Sequence, residues 1–406
     1  MVLSAQEAAL VKGSIPALRQ HGERITYAFY SDLLGSNPEL NDTFNDVNQA
    51  TGKLSRALTN IILAYAYNIG HLSDIIPRLE RVANKHCSLG IKPDQYQIVG
   101  KHLLEAFSQV LGPAWTPQLE AAWEKAYSAL ARMLIARESQ MYRQFGTWKG
   151  WRQFRIHHKV AETDGMYSYY LTPCDGGPIP SYLPGQYISI RTMVPSLGSH
   201  QQRQYSLSDT YNPKHYRISV RQSGGRYGHR EGVVSNFLAR SKKVGDIIEV
   251  THPVGEFFLT PGTSNAPLVL ISAGSGATPL ASMFNTITQR RDRRPISWIH
   301  CSPGRKAPFE DYVRRMARER DNIAVKFFRS RVKRLDEQAQ KDGDELGRLD
   351  LASIGLEKLH LDKPSAEYFI CGPQDLMRDI TCFLTIQGVA EDNIKCELFE
   401  TGELKR

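Results

Sequence analysis

The chain has no C-x-x-C pair: its six cysteines, Cys87, Cys174, Cys301, Cys371, Cys382 and Cys396, stand far apart or singly. That spacing argues against a structural zinc site or an iron–sulfur cluster and reads as free thiols in a reducing compartment. No stretch has the length of apolar residues needed to cross a bilayer, and the opening MVLSAQEAALVKGS lacks the apolar core of an export signal. Stable membrane insertion is therefore not expected, and a cytoplasmic location is. The net charge is +9, yet no block of adjacent basic residues accounts for it. The densest group, Arg290, Arg291, Arg293 and Arg294, has no interleaved aromatics on which bases would stack, so nucleic acid is not an expected partner, whereas small anionic ligands such as nucleotides remain compatible. Repeats and low-complexity tracts are also missing, which excludes solenoids and extended disorder.

What is present is 406 residues of ordinary globular composition, 41% hydrophobic and 23% charged, too long for one core. Three domains are expected, over residues 1–143, 150–261 and 265–406. The first reads as helix after helix, with Leu54, Leu58, Ile62, Tyr65 and Ile69 on one face and Leu119, Trp123, Ala126, Leu130 and Leu134 on another. Breaks fall at Asn37-Pro38 and between Gly112 and Pro117. Past Trp148 come short β-rich runs, FRIHHKVAET, QYISIRTM and YRISVRQ, spaced as in an antiparallel barrel. From Ala266 the runs PLVLISAG, ISWIHC, IAVKFF and AEYFICG alternate with helical segments, the pattern of an open parallel α/β sheet. GTWKG and GTSNAP read as linkers.

In the last domain a strand runs into Gly274, Ser275, Gly276, Ala277, Thr278 and Pro279 and then into a helix. Glycines allow close backbone approach to a pyrophosphate and the helix start favours its charge, although the same turn also serves purely structural ends. A second strand-to-helix turn, Cys371-Gly372-Pro373, lies in the same domain, and two such turns at the ends of parallel strands define a crevice. In the middle domain Arg203, Gln204, Tyr205 and Ser206 offer a fixed cation, a flat ring and a hydroxyl, and GGRYGHREG followed by Val233-Val234-Ser235-Asn236 offers another helix start; each is equally readable as a hairpin turn.

The order R-Q-Y-S, G-x-V-S-N, G-x-G-x-T-P, C-G-P resembles the ferredoxin-reductase-like flavin family over the last two-thirds of the chain. That resemblance implies a barrel binding FAD and a domain binding NADH or NADPH. Tyr187 and Arg203 to Ser206 then contact the flavin, Ser235 lies near its pyrophosphate, and Phe399 covers the isoalloxazine. Gly274 to Pro279 and Cys371 to Pro373 hold and aim the nicotinamide. Nucleotide choice stays open, since Arg305, Arg329 and Arg331 suit either a 2′-phosphate or solvated surface.

In the helical domain Ile75, Leu79, Val82 and His86 step by four, three and four, which puts an imidazole on an apolar face. It is either a core histidine satisfied by a neighbour or a metal ligand. Glu138 follows Leu130 and Leu134 at the same spacing and is either a buried, paired carboxylate or a frayed helix end. The segments AFYSDLLGSNPELNDTFN, NKHCSLGIKPDQYQIVGKHLL and AYSALARMLIARESQMY resemble the globin domain of the flavohaemoglobins, so the likeness spans the chain. It implies haem b ligated by His86, Phe44 packed on the haem, Tyr30 on the distal side, and Tyr96 and Glu138 behind the proximal imidazole. Leu58 keeps an apolar pocket wall, and Leu54 stands where relatives carry a distal glutamine. Lys85 and Glu397 match positions between haem and flavin. The implied activity is nitric oxide dioxygenation by a monomer, with O2, NO and NAD(P)H as small-molecule partners; a hydroperoxide reductase, a gas sensor and a flavin diaphorase are the alternatives.

Overall fold

The computed structural model describes residues 3–42, 53–146, 148, 150–224, 231–262 and 264–399. Residues up to Trp151, with Pro195–Gln202, form one compact unit; Arg152–Val194 and Arg203–Phe399 form the second.

The first unit is helical: α1 (Ala5–Gly13), α2 (Ile15–Ser36), α3 (Lys53–Tyr67), α4 (Ile76–Leu89), α5 (Gln95–Leu111) and α6 (Pro117–Arg143). Local chemistry sets several ends. Ser4 and Glu7 form a reciprocal capping box at the start of α1, and Thr116 caps α6 by accepting from the Leu119 amide. Gly90, at φ +72°, ends α4 in the left-handed region where a side chain would be strained. Apolar stripes then bury Leu18, Ile25, Phe29 and Leu33 of α2, Ile62 and Tyr65 of α3, and Trp123, Ala126 and Leu134 of α6. Gly22 lets α2 cross α3 closely, because a Cβ there would meet Thr59 Cγ2 at 2.5 Å. Two details depart from the periodic reading: Ile75 lies in a 3-10 turn ahead of α4, and Ile69 lies beyond the end of α3, yet both are buried. Trp148, read as part of a linker, is likewise buried.

The second unit holds two six-stranded sheets. The antiparallel one is formed by β1 (Arg152–Thr163), β2 (Met166–Pro173), β3 (Tyr187–Val194), β4 (Ser199–Ser206, of which Arg203–Ser206 belong to this unit), β5 (Tyr216–Arg221) and β6 (Ile247–Val250), in the order β4-β3-β6-β1-β2-β5, with α7 (Val233–Arg240) against it. Alternation does the work in β1, where Phe154 and Ile156 are fully buried between exposed neighbours.

The parallel sheet contains β7 (Leu268–Ala273), β8 (Ile296–Ser302), β9 (Ile323–Arg329), β10 (Glu345–Leu346), β11 (Glu367–Cys371) and β12 (Ile394–Glu397). Between them run α8 (Ala277–Gln289), α9 (Glu310–Glu319), the short α10 (Glu337–Lys341) and α11 (Leu356–Leu359), and α12 (Gln374–Ile386). The order is β10-β9-β8-β7-β11-β12. Strand order therefore reverses between β7 and β11, and at such a switch point two loops diverge to leave a crevice beyond the strand ends. β7 is buried along nearly its whole length and apolar from Leu268 to Ile271, because both of its faces are covered by other layers.

Candidate functional site

The helical unit brings three of the sequence-selected residues into contact. His86 stands in the last turn of α4, Tyr96 in the first turn of α5 and Glu138 near the end of α6. The Tyr96 hydroxyl donates to Glu138 Oε1 at 2.5 Å, and His86 Nδ1 lies 2.7 Å from that hydroxyl and 3.0 Å from the same carboxylate oxygen. Burial, reinforced by the bond to Glu138, holds the Tyr96 pKa well above that of an ordinary phenol, so the hydroxyl keeps its proton and directs it at Glu138. Nδ1 must then be the protonated ring nitrogen, because each of its partners offers it an acceptor oxygen. The Nε2 lone pair is left over, and no hydrogen bond goes to it among the described residues. An imidazole with Nδ1 fixed and Nε2 open has the form of a metal ligand held by outer-shell bonds. Glu138 is 3% exposed, so the frayed-end reading is excluded and the carboxylate is paired as burial demands.

One residue behind this set carried no recognisable signal. Tyr127 donates from its hydroxyl to the Tyr96 carbonyl at 2.6 Å, fixing the backbone that carries the phenol. Gly100 makes this possible, since a Cβ there would lie 2.4 Å from the Tyr127 ring. The distal candidates are less gathered. Tyr30 lies on α2 with its ring edge-on to Phe29, and burial raises its pKa, so it is a protonated donor. Leu58 is half-buried on α3. Leu54 is on α3 as well, with its side chain outside the described residues, as is Phe44 altogether. Lys85 precedes His86 on α4, and its carbonyl accepts from Ser88.

The second unit assembles the phosphate-type turns. Gly274–Gly276 make one 3-10 turn between β7 and α8, and Cys371-Gly372-Pro373 leave β11, the strand hydrogen-bonded beside β7. A Cβ on Gly276 would stand 2.0 Å from the Cys371 carbonyl oxygen, so the two turns meet at backbone distance and only glycine fits. No side chain among the described residues caps the first amides of α8, which leaves N–H groups for an anion. Arg221, at the end of β5, adds charge there, its Nη1 lying 2.7 Å from where a Gly274 Cβ would be. The Cys371 thiol is fully buried and its pKa is pushed well up by burial and by Glu397, so it is a packed, protonated group.

Arg203, Gln204, Tyr205 and Ser206 form the last half of β4, and Gln204 Nε2 donates to Ser189 Oγ on β3 at 3.1 Å. The chain bends past Tyr187 at Gly255, φ +126°, where a Cβ would come within 3.0 Å of the Tyr187 ring. Ser235 is in the first turn of α7 and donates to the Gly232 carbonyl at 3.3 Å; residues 225–230 of the glycine-rich stretch lie outside the described residues. Glu397 closes β12 opposite Cys371, and Phe399 follows, 49% exposed.

One expectation is corrected. Arg329, a candidate for a 2′-phosphate, is 1% exposed and bonded to Asp344 at 2.7 and 3.0 Å and to Glu310 at 2.6 Å. Its charge is spent inside the protein, because a buried guanidinium must be paired. Arg305 and Arg331 are exposed.

A helical unit presenting an open imidazole, on one chain with an antiparallel barrel and a parallel sheet whose switch point is built for an anionic nucleotide, defines a globin joined to a pyridine-nucleotide oxidoreductase. The comparisons agree. Residues 27–134 match the globin family, and residues 270–381 match the oxidoreductase NAD-binding domain. The chain is 41% identical over 99% of its length to the flavohemoprotein of Bordetella parapertussis, itself covered to 99%. The crystal structure of the flavohemoglobin from Malassezia yamatoensis, with bound FAD and heme, superposes with a TM-score of 0.86 at 29% identity, covering 98% of this chain and 100% of that one. The FAD/NAD-binding domain of nitric oxide dioxygenase from Vibrio cholerae covers 61% of this chain and 97% of its own, with a TM-score of 0.54 and 29% identity. The chain belongs to the flavohemoprotein family.

Proposed function

We propose that the chain is an NAD(P)H-dependent nitric oxide dioxygenase, with a haem domain over residues 1–143, an FAD barrel over 150–261 and a nucleotide domain over 265–406. The names of its relatives, which state a haem, FAD and nitric oxide dioxygenation, support this, and the donor set fits them. When bound, the haem supplies an iron at which oxygen and nitric oxide combine to nitrate, and the flavin divides a hydride into single electrons. The protein's own groups do the rest. His86 would hold the iron through Nε2, while Glu138 and Tyr96 accept the Nδ1 proton's hydrogen bond and would make the imidazole a stronger donor. Tyr30 supplies the distal hydroxyl, Phe44, Leu54 and Leu58 the pocket, and Lys85 and Glu397 adjust the redox balance. Tyr187, Arg203, Gln204, Tyr205, Ser206 and Ser235 would bind FAD, Phe399 would cover it, and the turns at Gly274–Pro279 and Cys371–Pro373 would receive NADH or NADPH. Overall, two nitric oxide and two oxygen molecules consume one NAD(P)H and yield two nitrate, NAD(P)+ and a proton. Removal of nitric oxide from the cytoplasm by a monomer is the corresponding role.

The observation that carries this reading is the hydrogen-bonded His86–Tyr96–Glu138 set in one chain with a nucleotide switch point. The purified holoprotein is expected to consume NADH, oxygen and nitric oxide and to leave nitrate; absence of consumption with haem and FAD present rejects the activity. Tyr30→Phe is expected to lose most of that activity while dye reduction by the flavin half persists. His86→Ala is expected to lose tight haem binding.

A further inference from the structure

The seam between the antiparallel barrel and the nucleotide sheet is organised around Asp209, three residues beyond the end of β4. Its carboxylate Oδ1 accepts from Asn285 Nδ2 at 2.7 Å, and its main-chain carbonyl accepts from Ser282 Oγ at 2.6 Å. Ser282 and Asn285 are three apart and share one face of α8, so the two bonds grip the helix on a single side. The barrel fixes Asp209 in turn. Tyr182 donates to the same carbonyl at 2.8 Å, the Thr210 amide donates to Oδ1 at 2.9 Å, and Arg217 Nη1 lies 3.2 Å from Oδ2. Arg217 also donates from Nε to Ser208 Oγ at 3.2 Å and stands over the Phe309 ring at 5.3 Å.

Apolar packing alone would hold the two parts together without fixing their register. Met166, Phe257 and Leu259 of the barrel share a core with Leu280, Ala281, Met283 and Phe284 of α8, and such contacts resist separation far more than sliding. Directional bonds at Asp209 pin α8 along its axis. That matters because the seam is close to both proposed cofactor sites. Ser206 ends the strand assigned to flavin contact three residues before Asp209, and Pro279 ends the nucleotide turn three residues before Ser282. Three residues of extended chain reach about 10 Å and three of helix rise about 4.5 Å, so little slack lies between them.

We propose that Asp209 is a positioning residue for hydride transfer: by holding Asn285 and Ser282 it sets where the Gly274–Pro279 turn stands relative to the flavin-contact end of β4. The inference rests on the assignment of FAD to the barrel and of the nucleotide to that turn. Hydride transfer falls off steeply with donor–acceptor misplacement, so a loosened α8 slows it without removing any group that touches either cofactor.

The test uses the full-length, FAD-loaded protein with Asp209→Ala, Asn285→Ala, the double variant and Asp209→Asn, which keeps an acceptor oxygen for Asn285. Amide hydrogen exchange of residues 274–282, measured without nucleotide, is expected to quicken in the alanine variants, while β7 and β11 keep their protection. Under anaerobic conditions the limiting rate of flavin reduction by NADH is expected to fall on the order of 10- to 100-fold with the half-saturating concentration little changed. The isotope effect with NADH deuterated at C4 is expected to become more temperature-dependent. The double variant should be no slower than the worse single one, and Asp209→Asn should recover most of the rate. Wild-type exchange and rates in Asn285→Ala, or slowing that comes with lost FAD and an unchanged isotope effect, overturns the positioning role while the cofactor assignment stands. A wild-type protein whose FAD is not reduced by NADH or NADPH overturns both.

Discussion

The carboxylate of Glu138 accepts the Tyr96 hydroxyl at 2.5 Å, on the same oxygen that lies 3.0 Å from His86 Nδ1. One carboxylate oxygen thus serves two donors, and its negative charge is delivered to the imidazole both directly and through the phenol. Glu138→Gln keeps an acceptor oxygen but removes the charge. We expect the haem-iron reduction potential to rise, as read by spectroelectrochemistry, and turnover to fall roughly 10- to 100-fold, the usual cost of losing an outer-shell partner. A potential equal to that of the wild type would show that the charge is not felt at the iron.

Gly276 is predicted to be irreplaceable by alanine, because the added methyl would lie 2.0 Å from the Cys371 carbonyl and neither backbone can yield without parting the two turns. Overpacking of this kind costs about 1–3 kcal/mol. Gly276→Ala should weaken nucleotide binding in a fluorescence titration and lower the stability of the C-terminal unit, while the haem absorption spectrum is unchanged.

Arg329→Met would remove one of the two guanidiniums that share the largely buried Asp344 and Glu310 carboxylates, leaving Arg314 on both, at 2.5 Å from Asp344 and 2.9 Å from Glu310. Because Arg314 still compensates both carboxylates, the loss should stay below the roughly 3–5 kcal/mol of a buried pair broken outright, and urea unfolding of the C-terminal unit should move to lower concentration. Since Arg329 does not face solvent, the ratio of NADH to NADPH use should stay the same; a changed ratio would restore it to the nucleotide site.

His300 on β8 is fully buried, with Nδ1 against Ser272 Oγ at 2.8 Å and no partner for Nε2 among the described residues. Burial above all, then the charges of Arg329 and Arg221, lowers its pKa to about 3 from an ordinary value of 6.5. The folded protein therefore binds the proton less readily than the unfolded chain does. Stability on this account is full above pH 6.5 and is lost as pH falls from there towards 3, by about 1.4 kcal/mol per unit. His300→Leu should flatten that part of the pH dependence in denaturant titrations; an unchanged slope would assign it to other groups.

Legibility differed between the layers. The helical periods, the alternating strands and the apolar parallel strands are local patterns, so the fold class could be read from them. Gly274–Pro279 and Cys371–Pro373 were recognisable as turns, and the spacing of Leu130, Leu134 and Glu138 marked a carboxylate on an apolar face. Arg329 was misjudged because its partners, Glu310 and Asp344, are 19 and 15 residues away and nothing local marks them as neighbours. Tyr127, Asp209 and Asn285 were invisible for the same reason.

By itself the sequence determined the kinds of elements, where most of them stop, and which side chains have the chemistry to serve as ligand, donor or phosphate cradle, since all of these follow from neighbours a few residues apart. Only the tertiary structure decided that Glu138 reaches over His86 and Tyr96, that the Gly276 turn touches Cys371, and that Arg329 turns inward. Those outcomes depend on residues from 10 to about 100 positions apart being packed together, where burial forces each charge and proton to find one particular partner.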